Sequence, residues 1–123
     1  MTSDCDGTTL GTYSVANPSS IAFDGANIWV VNQTDSTVSK LRASDGSLQG
    51  TYNVPGSTPV SIAFDGANVW IVNSTSNTVS EMRVSDGSIV GTFNTGSNPA
   101  AVAFDGANIW VTNNSASGSV SKF

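Results

Sequence analysis

Phe23-Asp24-Gly25-Ala26-Asn27-Ile28-Trp29-Val30 occurs three times in this chain with almost no change. It returns at residues 64–71 with two substitutions and at residues 104–111 letter for letter, so the tryptophans at 29, 70 and 110 are spaced by 41 and 40. A fixed period of this size means that each copy is one supersecondary unit, stacked on the next. Other pieces keep the same period: Gly-Thr-Tyr/Phe from Gly11, Gly50 and Gly91, a proline at 18, 59 and 99, Val-Ser-Lys/Glu from Val38, Val79 and Val120, and Asp-Gly at 6, 45 and 86. Between residues 18–49 and 59–90, 21 of 32 aligned positions are identical, and the copies are expected to share one conformation.

Within a unit every apolar run is short, rich in β-branched and aromatic residues, and bounded by turn formers, which points to strands rather than helices. The first copy reads as strand a at residues 20–23, strand b at 28–32, strand c at 37–42 and strand d at 48–54. Asp24-Gly25-Ala26-Asn27 and Ala43-Ser44-Asp45-Gly46-Ser47 supply the tight reversals, since Asp and Gly tolerate the backbone angles such turns need. Strand b, Ile-Trp-Val-Val, has no polar residue on either side, as expected where both faces of a sheet are covered. Four antiparallel strands per period of about 40 residues is the pattern of a β-propeller blade. The expected fold is therefore all-β, three blades in residues 1–123: units at 18–58 and 59–98, a partial unit of strands a to c at 99–123, and a further strand d with its connection at 1–17.

At these residues the chain resembles the YVTN-type β-propeller repeats, which carry a Tyr-Val-Thr-Asn-like strand followed by Thr-Val-Ser and an apolar residue. The matching stretches are Trp29-Val30-Val31-Asn32, Trp70-Ile71-Val72-Asn73 and Trp110-Val111-Thr112-Asn113, with Thr-Val-Ser at 37–39 and 78–80 and its counterpart at 119–121. The resemblance covers nearly the whole chain and implies the propeller fold. It transfers no active site, because proteins with such repeats are functionally diverse. Streptogramin lyases are similar in repeat style, but that activity depends on a histidine and this chain has none.

Composition narrows the function classes. Net charge is −5 with only Lys40, Arg42, Arg83 and Lys122 as cations, too few to neutralise a phosphate backbone, so no nucleic-acid partner is expected. No apolar run reaches the length of a membrane span, and no membrane insertion is expected. The absence of histidine removes the commonest general base and metal ligand, and one cysteine, Cys5, excludes an internal disulfide. No enzyme activity, cofactor or metal is expected. No charged segment followed by an apolar one follows Met1; the composition suits a secreted or surface protein, and the compartment stays open.

Asp6-Gly7-Thr8-Thr9-Leu10-Gly11-Thr12-Tyr13 aligns with residues 45–52 and 86–93, so the chain opens on a strand d; residues 119–123 align with strand c, and no strand d follows. Three blades are fewer than the roughly four to eight that surround an axis while staying packed face to face. The expectation is a homodimer: two copies head to tail form six blades, with Thr8, Leu10, Thr12, Tyr13 and Val15 of one chain laid beside Ser119, Val120, Ser121 and Phe123 of the other. The alternative is a structural or designed scaffold, or a fragment of a longer propeller, with no small-molecule ligand.

Repeat order places the d-to-a and b-to-c connections on one face of the ring. That face is neutral and rich in amides and hydroxyls, with Asn17, Ser19, Thr58 and Asn98 in the first set and Gln33, Thr34, Ser74, Thr75, Asn114 and Ser115 in the second. Such groups can hydrogen-bond sugar hydroxyls, and repetition gives avidity, so a glycan or other extracellular ligand is the expected partner of this face. The opposite face carries Asp24, Asp65 and Asp105 in the a-to-b turns and Asp6, Asp45 and Asp86 in the c-to-d turns, expected to bond their own turn backbone. The tryptophans are expected between blades, and the sequons at Asn32, Asn73 and Asn113 recur because the repeat does. Cys5 occupies the place of Ser44 and Ser85, at an expected exposed turn too far from its counterpart across a two-fold ring to form a disulfide.

Overall fold

A computed structural model describes residues 6–123; Cys5 lies outside the described residues. Each a-to-b reversal is built by an aspartate. The Asp24 carboxylate accepts the Ala26 and Asn27 amides at 2.9 and 2.7 Å, and Asp65 and Asp105 repeat the pattern. These turns join β1 (Pro18–Phe23) to β2 (Asn27–Asn32), β5 (Pro59–Phe64) to β6 (Asn68–Asn73), and β9 (Pro99–Phe104) to β10 (Ile109–Asn113). The third strands are β3 (Thr37–Arg42), β7 (Thr78–Arg83) and β11 (Ser119–Lys122); the fourth are β4 (Leu48–Asn53) and β8 (Ile89–Asn94). All pairing is antiparallel, in two sheets of four strands in sequence order and one of three, β9-β10-β11.

Strand b begins one residue earlier than expected, at Asn27, and strand d ends one earlier, at Asn53; two larger differences have a physical cause. Strand a starts at Pro18 because Pro18 pairs with Asn32 across a bulge at Ser19, and the same offset recurs in the other two sheets. Residues 8–15, expected as a strand, sit in no ladder. A strand is defined by its partner's hydrogen bonds, and this segment pairs with no described strand.

Side-chain alternation gives each blade two faces. The leading face of the first blade carries Ala22, Trp29, Val31, Val38 and Tyr52, and it packs on the trailing face of the second, Ile62, Phe64, Val69, Ile71 and Met82. Trp70, Val72 and Val79 repeat the arrangement against Val102, Ile109, Val111 and Phe123. Trp29, Val31, Val38 and Val79 are 0 % exposed, and complete burial of side chains of this size contributes about 1.5–3 kcal/mol each. Polar bonds cross these seams as well: the Ile62 and Val102 amides donate to Ser20 Oγ and Ser61 Oγ, each at 3.3 Å, and Lys40 Nζ donates to the Val84 carbonyl at 2.8 Å. Strands β1, β5 and β9 stand side by side as the innermost strands of the stack.

Candidate functional site

Among the described residues no blade lies against the faces at the two ends of the stack. On the third blade the leading face consists of Ala101, Ala103, Trp110, Thr112, Val120 and Lys122, as the pairing of Trp110 with Ala103 and Lys122, and of Thr112 with Ala101 and Val120, requires. Trp110 is 37 % exposed and Val120 57 %, whereas their counterparts Trp29 and Val38 are fully covered. On the first blade the trailing face presents Ile21 at 64 % and Phe23 at 56 % exposure, although Ile62, in the place of Ile21, is 5 % exposed. Large apolar side chains are thus exposed at both ends of the stack, at positions whose counterparts in the internal seams are covered.

Residues 8–15 flank the first blade as a fourth strand flanks the blade that follows it. The Tyr13 ring lies over Gly46, and the Tyr52 ring lies over Gly87 in the same way. Tyr13 and Val15 thus form one wall of a cavity of about 480 Å3 whose floor is Ile21, Ile28, Val30 and Leu41. At the first internal seam the equivalent floor, Ile62, Val69, Ile71 and Met82, is covered by Trp29, Val31 and Val38. The cavity therefore lies where a leading face lies at the internal seams. Thr8, Leu10 and Thr12 are exposed beside it.

At the opposite edge the residues expected to receive a partner's strand divide between the two faces of β11. Val120 lies on the exposed leading face. Phe123 lies on the other: its ring is 6.2 Å from Phe93 and 6.4 Å from Trp70, inside the second seam. The hydroxyls of Ser119 and Ser121 also turn inward, accepting from Asn113 Nδ2 at 3.1 and 2.9 Å. The cause is the period of two, which places residues 119, 121 and 123 on the trailing face and 120 and 122 on the leading one. Lys122, absent from the expectation, sits over the Trp110 ring at 5.0 Å, as Lys40 sits over Trp29 at 5.2 Å.

In each repeat the d-to-a and b-to-c loops lie against each other. Asn17 joins Gln33 through its carbonyl and Thr34 through its side chain; Thr58 joins Ser74 through its carbonyl and Thr75 through a 2.8 Å hydroxyl bond; the Asn98 side chain donates to the Asn114 carbonyl at 3.2 Å. Asn17, Thr58 and Asn98 all have positive φ. These bonds pin the paired loops to each other and engage many of the groups nominated for ligand contact. Ser19, in its bulge, is exposed, as is Thr34; Gln33 and Ser115 are half-buried.

On the other face the aspartates serve the fold in a way the sequence did not reveal. Besides capping its turn, each of Asp24, Asp65 and Asp105 accepts the indole N–H of its own repeat's tryptophan, at 2.7, 2.8 and 2.7 Å. Burial pushes the Asp24 and Asp65 carboxyls up, but the indole and turn-amide bonds outweigh it and the net shift is downward. For Asp105 the Trp110 indole and the Asn108 and Ala107 amides lower the carboxyl from 3.8 to about 2. Asp6, Asp45 and Asp86 are held low by Thr8, Ser47 and Ser88 respectively. Among the described residues no group of three metal-ligating side chains converges.

The recurring asparagines are also structural. Asn32 Nδ2 donates to Thr37 Oγ1 and Ser39 Oγ at 3.1 and 2.8 Å, and Asn73 does the same with Thr78 and Ser80 at 3.2 and 3.0 Å. Asn32, Asn73 and Asn113 are at most 3 % exposed, so their sequons are inaccessible to a glycosylating enzyme in the folded chain. The spacing of Asn from the following Thr-Val-Ser was a readable signal for this bond between strands b and c.

No protein-family model matches the sequence, and no curated protein does. Among solved structures the chain is similar to hydrazine synthase of Kuenenia stuttgartiensis, with a TM-score of 0.73 and 23 % identity over 90 % of this chain and 33 % of that one. It is also similar to a luciferin-regenerating enzyme, with a TM-score of 0.68 and 16 % identity over 85 % of this chain and 44 % of that one. The chain thus spans less than half of either. Both neighbours are β-propeller proteins, and at these identities the likeness establishes the fold: this chain is a run of propeller blades.

Proposed function

We propose that this chain is a non-enzymatic, self-assembling propeller module, two copies of which close a six-bladed ring. The observation that carries the reading is the match between its two open faces: the leading face of the third blade repeats, in Ala103, Trp110 and Val120, the Ala-Trp-Val set that the other two blades present to a trailing face, and the trailing face of the first blade holds a cavity at the corresponding place. The polar counterparts agree. Lys40 crosses the first seam to the Val84 carbonyl, and Lys122, in the same register, would meet the carbonyl of Ala43, which aligns with Val84.

Six blades require about 60° per blade and fall within the usual range, whereas three copies give nine and fall outside it. A closed pair forms two seams for one loss of translational and rotational freedom, a loss of about 4–15 kcal/mol. An open pair bears the same cost for a single seam, so closure is favoured over chain growth wherever the rotation fits. The kinship with YVTN-type repeats belongs to this proposal, supported by the Asn-to-Thr/Ser bonds that give the motif a physical reason. Catalysis does not belong to it: the repeated carboxylates are engaged by turn amides and indoles, and histidine is absent.

A second reading concerns what the ring presents. It would repeat the paired d-to-a and b-to-c loops around one face, and the exposed Ser19 and Thr34 beside the half-buried Gln33 favour a ligand rich in hydroxyls, such as a glycan, held weakly at each blade and multiplied by repetition. Mass in solution tests the assembly: light scattering on the full chain should give twice its 12.6 kDa, and a stable monomer would refute the ring. A glycan array tests the second reading; silence across it leaves a scaffold without a sugar ligand.

A further inference from the structure

The third repeat departs from the other two at one cross-strand pair on its leading face. Ser20 pairs with Val31 and Ser61 with Val72, but Ala101 pairs with Thr112. One hydroxyl and one branched side chain are kept in every case. In the third repeat the hydroxyl has moved from strand a to strand b.

In the first two repeats that hydroxyl accepts the amide of Ile62 or Val102 in the following blade, at 3.3 Å. These amides belong to the innermost strand of each sheet, an edge strand whose alternate N–H groups have no ladder partner. A seam that covers such an amide without an acceptor leaves a buried donor unsatisfied, which costs more than the bond itself contributes. Ile21 holds the register position of Ile62 and Val102, and among the described residues no blade packs before it to supply a seryl acceptor.

Resting on the two-copy ring, we propose that Thr112 is the acceptor at the inter-chain seam, its hydroxyl taking the amide of Ile21 of the partner subunit in the role that Ser20 and Ser61 fill within the chain. Directly opposed side chains in an antiparallel pair have Cβ atoms roughly 4.5–5.5 Å apart, so the relocated oxygen starts within one side-chain length of the serine position. Threonine has the shape of the valine it replaces, and Ala101 clears the space that the serine hydroxyl occupied. The seam between chains is thereby the same in volume as the seams within the chain and different in the origin of its hydrogen bond.

A rescue series tests this, with sedimentation velocity reading the association constant of the full chain. Thr112→Val should weaken self-association roughly fivefold per seam, about 25-fold for a ring with two. Adding Ala101→Ser to Thr112→Val recreates the pair found in the first two repeats and should restore association to near the wild-type value. Circular dichroism of each variant confirms that the blades stay folded. A dimeric wild type indifferent to Thr112→Val, or a loss that Ala101→Ser does not restore, overturns the role of Thr112 alone. A monomeric wild type overturns this inference together with the ring on which it rests.

Discussion

The indole of Trp70 lies 5.7 Å from the ring of Phe93 with their planes 30° apart, and Trp29 meets Tyr52 at the same distance and angle. Each pair joins strand b to strand d of one blade, and each tryptophan is at most 9 % exposed. Trp110 has no strand d beside it among the described residues, and Tyr13 has the position of Tyr52 and Phe93 without a tryptophan. One aromatic is unmatched at each end of the stack.

Tyr13→Ala should therefore break the ring without unfolding the blades. Losing a packed aromatic costs about 3–5 kcal/mol, which at each of two seams raises the dissociation constant by well over a hundredfold. Light scattering should show the mass falling toward 12.6 kDa while the strand signal in circular dichroism persists. Tyr13→Phe should keep the dimer. A Tyr13→Ala variant of unchanged mass would count against Tyr13 as the partner of Trp110.

Two glycines with left-handed backbone separate local strain from seam packing. Gly66 has φ +99° and nothing within 4 Å of an added Cβ, whereas Gly87 has φ +72° and a Cβ there would overlap the Tyr52 ring. Gly66→Ala should cost about 1–2 kcal/mol, from backbone alone, and Gly87→Ala a further roughly 1–3 kcal/mol from overpacking. Urea denaturation measures both, and equal losses would mean that the Tyr52 ring moves aside freely.

Thr58 is a β-branched residue at φ 59°, in the position that Asn17 and Asn98 occupy at 44° and 55°. Asparagine tolerates this region and threonine does not. Thr58→Asn should raise stability by about 0.5–1 kcal/mol, since the asparagines at the equivalent sites also bond the facing loop. A lower thermal midpoint for the variant would show that the Thr58–Thr75 hydroxyl bond outweighs the backbone strain.

The indole-bonded aspartates make the fold sensitive to acid in a defined window. Their carboxyls are lower in the folded chain than the ordinary 3.8, Asp105 reaching about 2. A depressed carboxyl contributes its stability in full above about pH 4, and loses it as the pH falls through the folded value toward about 2. Tryptophan fluorescence should be flat from neutral pH to about 4 and change below it. Asp65→Asn should flatten that dependence and cost about 1 kcal/mol at neutral pH, a modest figure because the carboxylate is only partly buried and solvent screens it in part. Fluorescence that shifts above pH 5 would assign the transition to other groups.

Much of this molecule was readable from residue order because its repeats repeat. Three copies of one apolar block at a period near 40 specified strands, turns and blade count, and the alternation of Ile-Trp-Val-Val between two covered faces specified where the core lies. Asp-Gly turns were legible for the same reason: a local side-chain-to-backbone bond depends only on neighbours in the chain.

Contacts between distant residues were not legible. That Phe123 belongs to the second internal seam, that Asp24 holds the Trp29 indole, and that Ser20 caps an amide 42 residues away follow from how faces meet, which no local pattern specifies. The unpaired Tyr13 and Trp110 are both visible as letters. Folding alone places them at opposite ends of one stack, because a blade buries its apolar faces only against other blades, and three blades leave two such faces open.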